Sequence, residues 1–432
     1  MRRVSGFAFL VFFTFATLFL SAAPIRLVMW GGVPPEAGPQ AVCDEFNKEF
    51  ASQGISVEYE RYVNDEPGNM KLDTNLLAGG DIDLYMTYVP DYLKKRAQGK
   101  MALDLSALLA RDKYDLEKAF GPMAKAYFID GKPYSLPTKI DQYGLVVNKN
   151  MFDAAGIPLP TSWTIDEFRA VAKKLTKGEG PDKVYGMFFN SQQDILYPIN
   201  YFLVQNVGGD PIYKAGGKET AFTDPLMVKT IKTVAEMMLV DKSAPTHADS
   251  VSQKLSQEGM FLSGKSAMTI GPWIIRSIKD TTKYPHDFVS AFVPYPVVAK
   301  SANPWFQGGL GDHLCINPKS RNIEAAWVFA KWYAERGMLP VASGGRVPSH
   351  VNFNKDAIAN AFMAGAEKIL DRPSLKAVLI DSKPRYAVPS ITTKLPEIRK
   401  VLFEELEAIY LGKKTPEQGL KDAKVRSDAF LK

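Results

Sequence analysis

The sequence predicts an α/β protein with two domains. Three observations carry that prediction. The chain has 432 residues, enough to bury two separate cores. Its composition, 46% hydrophobic and 23% charged, is that of an ordinary soluble globular protein. It also opens on a strand–helix–strand pattern, the unit from which parallel sheets are built. In that pattern Ile25-Arg26-Leu27-Val28-Met29-Trp30 is an apolar run stopped by Gly31-Gly32. Residues 40–50 place Val42, Phe46 and Phe50 on one helical face, and residues 55–59 alternate as a second strand.

Charge and cysteine content narrow the function classes. The formal net charge is +6, and removal of Arg2 and Arg3 with a leader would leave about +4. That charge is too mild and too scattered for a nucleic-acid footprint, but it leaves room for an anionic ligand. The two cysteines, Cys43 and Cys315, have no zinc-type partners nearby, and two buried free thiols are favoured over a disulfide. At the amino terminus a basic start precedes an apolar run over residues 7–20. Small residues follow, so residues 1–23 read as a cleavable signal peptide cut near Ala22. No lipid-attachment cysteine follows, so a free periplasmic protein is expected.

The rest of the chain continues the alternation of strands and helices. Residues 70–77 are a short helix ended by Gly79-Gly80, and residues 81–86 a third strand with Thr87, Tyr88 and Asp91 on the loop leaving it. Asp130-Gly131 marks a tight turn. Residues 145–149 are a strand. Thr164 caps a helix, with Glu167 three residues on completing a capping box. Residues 184–189 read as a strand and 197–207 as an apolar helix. Asp224-Pro225 opens a long helix running to about Val240. Ser263-Gly264-Lys265 is a turn and Ala267-Met268-Thr269-Ile270 a buried strand. Gly271-Pro272 breaks that strand and leaves Trp273 at its carboxyl end, where open α/β sheets bind ligands. Residues 288–293 are a strand, 325–333 a helix with an aromatic stripe, 395–411 a helix, and 413–431 short closing helices.

Several of these segments, in this order, resemble the family 1 extracellular solute-binding proteins of ABC importers, the maltose-binding-protein-like group. They are Glu258 through Trp273, Gly99-Lys100-Met101-Ala102-Leu103-Asp104-Leu105, and Asp130 through Pro137 with Asn148-Lys149 after it. Ala154-Ala155-Gly156-Ile157-Pro158 with Pro160 through Phe168, Trp305 through Ile316, and Gly344-Gly345-Arg346-Val347-Pro348 complete the set. The resemblance implies a type II two-lobed fold with a ligand cleft between lobes joined by a hinge of two or three strands. Lobe 1 would comprise residues 24–138 and 312–352, and lobe 2 residues 144–306 and 353–432, with the hinge near 138–144 and 306–312. It implies capture of a small carbohydrate or polyol by hinge closure and delivery to a membrane permease. The protein would act as a monomer, with no cofactor, metal, nucleic acid or catalysis.

Candidate ligand contacts follow from position and chemistry. Trp30 and Trp273 end strands beside glycines, and a pyranose stacks its apolar face on such rings. Asp141 is a carboxylate on the first crossover, able to accept two hydroxyl hydrogens, with Tyr143 beside it. Thr87, Tyr88, Gln192, Gln193, Asp194, Gly308, Gly309, Asp312, Arg346 and Tyr386 lie on segments that the resemblance places at the cleft. Gly31-Gly32 and Thr87 stand where bulkier residues are common in oligosaccharide binders, which favours a smaller ligand. The alternative is an anionic ligand such as glycerol 3-phosphate, with Arg346, Lys139 and Arg385 as its partners. A remote alternative is a glycosidase using Asp141 and Asp312.

Overall fold

The computed structural model describes residues 23–383, 385–388, 391 and 393–432; the expected signal peptide lies outside these apart from Ala23. Eleven strands are present among the described residues. They are β1 (Ile25–Gly31), β2 (Ile55–Arg61), β3 (Leu84–Thr87), β4 (Leu136–Asp141), β5 (Leu145–Asn148), β6 (Met268–Ile270), β7 (Ser290–Val293), β8 (Trp305–Phe306), β9 (Gly309–Ile316), β10 (Val347–Pro348) and β11 (Arg385–Tyr386). A six-stranded sheet runs β10-β4-β9-β3-β1-β2, a three-stranded sheet runs β6-β5-β7, and β11 pairs with β8. The protein is thus a two-lobed α/β molecule.

The opening strand–helix–strand unit forms as its pattern predicts. Strand β1 lies parallel to both β2 and β3. The helix Pro39–Phe50 buries Val42, Phe46 and Phe50, its apolar stripe. The sheet is mixed, not wholly parallel, because β9 returns from the second lobe and inserts antiparallel between β3 and β4. Leu27, Met29, Phe46, Trp327, Phe329 and Trp332 centre this core. The second core gathers Phe168, Phe202, Ile231 and Met268. The carboxyl-terminal helices Leu395–Tyr410 and Pro416–Asp428 add Leu402, Leu406 and Leu420 to it.

Local chemistry accounts for the sharpest features. Asp130 and Gly131 both take positive φ (51° and 75°), closing a turn in which Ile129 and Lys132 exchange two backbone hydrogen bonds. The Thr164 hydroxyl accepts from the Glu167 amide at 3.3 Å, and the Glu167 carboxylate accepts from the Thr164 amide at 2.7 Å. Trp163, just before this cap, is buried and donates its indole hydrogen to the Pro294 carbonyl at 2.7 Å. Both cysteines are free and buried.

Two expected elements differ. The helix predicted at 70–77 begins earlier, at Glu66, because the Asp65 side chain accepts from the Gly68 amide and caps it there. The run 184–189 makes only single bridges, Val184 to Lys177, Tyr185 to Ser266 and Phe188 to Thr269. A side chain at Gly186 would start 1.9 Å from the Ala172 carbonyl oxygen, so the chain presses edge-on against a helix instead of laying down a ladder. The segment 197–207 is helical throughout, as expected, with a wide π turn over Ile199–Leu203 between Tyr197-Pro198 and Val204–Val207.

The chain leaves the six-stranded sheet after Asp141 and enters the three-stranded sheet at Leu145. It returns between Phe306 and Gly309. Residues 138–141 and 309–312 lie within β4 and β9 of the first sheet, so the change of sheet falls at 142–144 and 307–308. Gln142 ties the first passage to a third: its amide donates to the Ser382 carbonyl, and Ser382 donates to the Gln142 amide oxygen, both at 3.2 Å. A cavity of ≈ 370 Å³ lies at this junction, with Gln142, Tyr143, Phe306, Gln307, Ser382 and Tyr386 among its walls.

Candidate solute-binding cleft

Strand β4 carries Lys139 and Asp141, side by side on one face because side chains alternate along a strand. Strand β9 runs antiparallel beside it and brings Asp312 to the same place. Lys139 Nζ lies 2.6 Å from Asp141 Oδ1 and 3.6 Å from Asp312 Oδ1. Arg346, just before β10, donates from Nε to Asp312 Oδ2 at 2.7 Å. Two cations and two carboxylates therefore form one network, with side chains between 7% and 21% exposed. Burial pushes the Asp312 pKa up, but Lys139 and Arg346 outweigh it and hold the carboxyl below its usual range. Asp312 sits at φ +45°, a left-handed conformation that Asp tolerates better than most residues. Its carbonyl accepts from the Thr138 hydroxyl at 2.7 Å, which fixes that backbone.

The glycines of the second passage let these strands meet. A side chain at Gly308 would start 2.2 Å from the Asp141 carbonyl oxygen and 3.1 Å from the Tyr386 ring. One at Gly311 would start 2.8 Å from Asp141 Oδ2. Gly309 pairs directly with Asp141 and stands against the Tyr127 hydroxyl. The Tyr386 hydroxyl is pushed up in pKa chiefly by burial, with Gln142, Asp141 and Tyr127 as its neighbours.

The second lobe contributes an aromatic wall. The Trp273 ring lies 6.0 Å from Tyr143, 5.9 Å from Tyr197 and 6.4 Å from Tyr201, and Tyr201 stacks on Tyr295 at 4.8 Å. Gln257 aims the tryptophan: its amide oxygen accepts from Trp273 Nε1 at 2.8 Å, while its nitrogen donates to the Ile270 carbonyl. Asp141 meets this wall through Tyr143, whose hydroxyl pKa rises well above normal, first from burial and then from that carboxylate. Asp194 borders the wall at Tyr197 and Tyr201, and burial raises its own pKa.

The structure thus brings together Asp141, Tyr143, Asp194, Trp273, Gly308, Gly309, Asp312, Arg346 and Tyr386. Tyr88 joins from the first lobe. Its hydroxyl accepts from the Gly32 amide at 2.6 Å, and Asp312 and Arg346 both act on it. Trp30 is half-buried beside it in the same apolar cluster, with Lys71 over its ring at 5.5 Å.

The other expected contacts are engaged elsewhere. Thr87 is fully buried at the end of β3, and its hydroxyl accepts from Arg96 Nη1 at 2.9 Å. Arg96 is itself enclosed by Asp73 and Asn69. Gln192 donates to the Asn190 side chain at 2.9 Å within its loop and to the Leu255 carbonyl outside it, and Gln193 accepts from Asn190. Arg385 stacks on Trp305 at 3.2 Å. His313, which follows Asp312, meets Ser135 at 3.1 Å, and burial pulls its pKa down to about 4.

The sequence reading missed Tyr197, Tyr201, Tyr295 and Gln257. The first two were legible as an i, i+4 aromatic pair on one helical face. Tyr295 and Gln257 carry no local signal, because their role depends on where Trp273 folds.

Comparison with known proteins places this geometry. The profile of the bacterial extracellular solute-binding proteins matches residues 32–338. A Brucella abortus protein provisionally named as a binding protein is 26% identical over 412 residues, 90% of this chain and 89% of its own. The sn-glycerol-3-phosphate-binding periplasmic protein UgpB of Pectobacterium atrosepticum is 22% identical over 95% of this chain and 92% of its own. Among solved structures, a Rhizobium etli sugar transporter in an open conformation superposes with a TM-score of 0.72 at 21% identity, covering 94% of this chain and 99% of its own. A Thermotoga lettingae ABC-transporter solute-binding protein, bound with α-D-tagatose, does so at 0.68 and 22% identity, covering 94% and 100%. With the family profile spanning both lobes and the cleft between them, the chain belongs to the bacterial extracellular solute-binding proteins.

Proposed function

We propose that this chain captures a polyhydroxylated solute, a carbohydrate or polyol of modest size, in the periplasm. It would work as a monomer, passing the solute unchanged to the permease of an ABC importer. The observation that carries this reading is the apposition of the Trp273 wall with Asp141 and its network. A ring face offers an apolar platform to the C–H face of a sugar, and the carboxylate accepts its hydroxyl hydrogens. The Asp141 and Asp312 carboxylates share Lys139, an arrangement suited to holding a ligand and not to protonating a leaving group. The named ligands of similarly folded proteins, a sugar and α-D-tagatose, support the class. Closure follows from ligand contacts that only the closed form makes on both lobes.

A thermal-shift screen of the purified protein against mono-, di- and trisaccharides, polyols and their acidic derivatives tests the reading. A ligand at about 100 times its Kd should add roughly 2.7 kcal/mol of stability. A flat response across the whole panel would sink the proposal. Recovery of chemically altered ligand would replace it with an enzyme.

A further inference from the structure

The cavity of ≈ 370 Å³ at the junction of the two sheets is distinct from the capture site, since Asp141, Asp312 and Trp273 are not among its walls. The two passages between the sheets supply Gln142 with Tyr143 and Phe306 with Gln307. The segment carrying Ser382 and Tyr386 clasps both passages: Ser382 bonds to Gln142, and Tyr386 pairs with Phe306. The second lobe completes the walls with apolar groups, Leu159, Phe292, Pro294 and Val378 among them. Such a volume and such a lining are those of a small-molecule site, which spans about 300–1,000 Å³. No charged side chain lines the space among the described residues, so it suits a neutral occupant. The polar walls say what else that occupant needs. Gln142 and Ser382 satisfy each other, and Ser382 also donates to the Val378 carbonyl at 2.8 Å. Ser374 accepts from the Phe292 amide at 3.0 Å and donates to the Asp371 carbonyl at 3.1 Å. The Tyr143 hydroxyl meets Asp141, and Thr161 is exposed to solvent. Two groups are left over. The Tyr386 hydroxyl is buried without a hydrogen-bond partner among the described residues, and the Gln307 side chain makes no hydrogen bond among them either. Because Phe306 and Tyr386 are cross-strand partners, these two groups come from neighbouring positions. An enclosed hydroxyl without a partner is costly, and an acceptor on a ligand removes that cost. A sugar would bring more hydroxyls than two groups can satisfy, so this space rejects the solute of the cleft.

We propose that this cavity is a second ligand site, for a small neutral apolar molecule with a carbonyl-type acceptor at one end, and that its occupancy biases lobe closure. The acceptor takes the Tyr386 hydroxyl hydrogen, and the apolar body packs against Phe292, Phe306 and Val378. Such an occupant touches both passages and the segment that clasps them. Closure changes the backbone there, so a molecule that fits one arrangement of the passages resists the other. Tyr143 gives a direct route to the cleft, because its ring is also part of the Trp273 wall, 6.0 Å from that indole. The inference goes beyond solute capture, and only its coupling to closure rests on that reading.

The test is an NMR titration of the purified protein with acetophenone and with ethylbenzene, which has nearly the same shape but no acceptor. Acetophenone should bind with a Kd on the order of 1 mM or tighter, the range open to a ligand of that size. Tyr386→Phe should weaken acetophenone about fivefold and leave ethylbenzene within about twofold, the signature of one lost hydrogen bond. Ala377→Trp should abolish the binding of both, since Ala377 is an exposed wall residue where a large ring blocks the cavity without entering the core. Saturating acetophenone should shift the Kd of the best hit of the thermal screen at least about threefold, and that solute should shift the Kd of acetophenone by the same factor. The shift should vanish in Ala377→Trp. Absence of acetophenone binding would mean that the cavity holds only water and would overturn the site, as would binding that survives Ala377→Trp. Equal loss of both probes in Tyr386→Phe would overturn the role of the hydroxyl. Bound acetophenone with unchanged solute affinity would overturn the coupling and leave the site and solute capture standing. A thermal screen without a hit would sink capture alone, because the acetophenone titration needs no solute.

Discussion

The two faces of the cleft are built on opposite principles. The second-lobe face is a stack of rings: Trp273, Tyr143, Tyr197, Tyr201 and Tyr295 hold one another by edge and face contacts, with Gln257 as a polar tether. The face between β4 and β9 is a closed charge network of Lys139, Asp141, Asp312 and Arg346. Ring contacts are each worth about 0.5–1.5 kcal/mol beyond the area they bury, and losing one leaves the others in place. A buried ion network does not degrade in that way, since removing one member strands its partner as an unpaired charge. The aromatic face should therefore tolerate change in stability while losing ligand, and the charged face should lose stability first.

The sharpest way to break this contrast is Asp312→Asn. The substitution keeps the shape and the tolerance of positive φ but leaves Arg346 without its carboxylate. It should cost about 3 kcal/mol of unfolding free energy, read by urea denaturation at pH 7. Adding Arg346→Met should recover much of that loss, because the stranded charge is then gone. If the single variant unfolds within 1 kcal/mol of the parent, as solvated ion pairs do, the two faces are energetically alike and the contrast fails.

On the aromatic side the expected effect is on binding. Trp273→Ala should weaken the cognate solute by about 2 kcal/mol, roughly 30-fold, by titration. Gly271→Ala sharpens the same point without removing a ring. Gly271 has φ +80°, and a methyl there would start 2.0 Å from Trp273 Cζ3, so the indole must swing away. Backbone strain adds about 1 kcal/mol to its cost. If Gly271→Ala binds as the parent does, the orientation of Trp273 does not matter to the ligand.

The contrast also explains what could be read from the sequence. The β1–helix–β2 unit, the Asp-Gly turn, the capping box and the position of Trp273 were legible because each depends on residues within a few positions of one another. Asp141 was legible as a carboxylate on a crossover segment. Its pairing with Lys139 and Asp312 was not, because it requires β9 to insert beside β4 from about 170 residues downstream. Thr87 shows the converse. Its place after a strand pointed to the cleft, but the buried guanidinium of Arg96, nine residues on, takes its hydroxyl into the core. Gln192 and Gln193 likewise looked free as a polar loop, yet their amides meet loop and neighbouring backbone partners that no local pattern announces.

The smallest effect concerns His313, next to Asp312 on β9. Burial lowers its pKa from about 6.5 to about 4, although Asp312 pulls the other way. Its Nε2 is buried with no hydrogen-bond partner among the described residues, so the neutral ring fits the site and the charged ring does not. In the window from about pH 6.5 down to about 4, the unfolded chain binds a proton at this position that the folded chain refuses. The stability contributed by the neutral ring is therefore complete above pH 6.5 and declines as the pH falls through the window. The slope from this one group is at most about 1.4 kcal/mol per pH unit. His247 and His350 are depressed in the same direction, again by burial, so acid sensitivity alone does not single out His313. Urea denaturation of the parent and of His313→Asn at pH 7, 6 and 5 separates them. The variant should be flatter with pH while keeping the residual slope of the other two histidines. Parallel curves would mean that β9 admits the imidazolium, and that the floor between β4 and β9 is more open to water than its charge network implies.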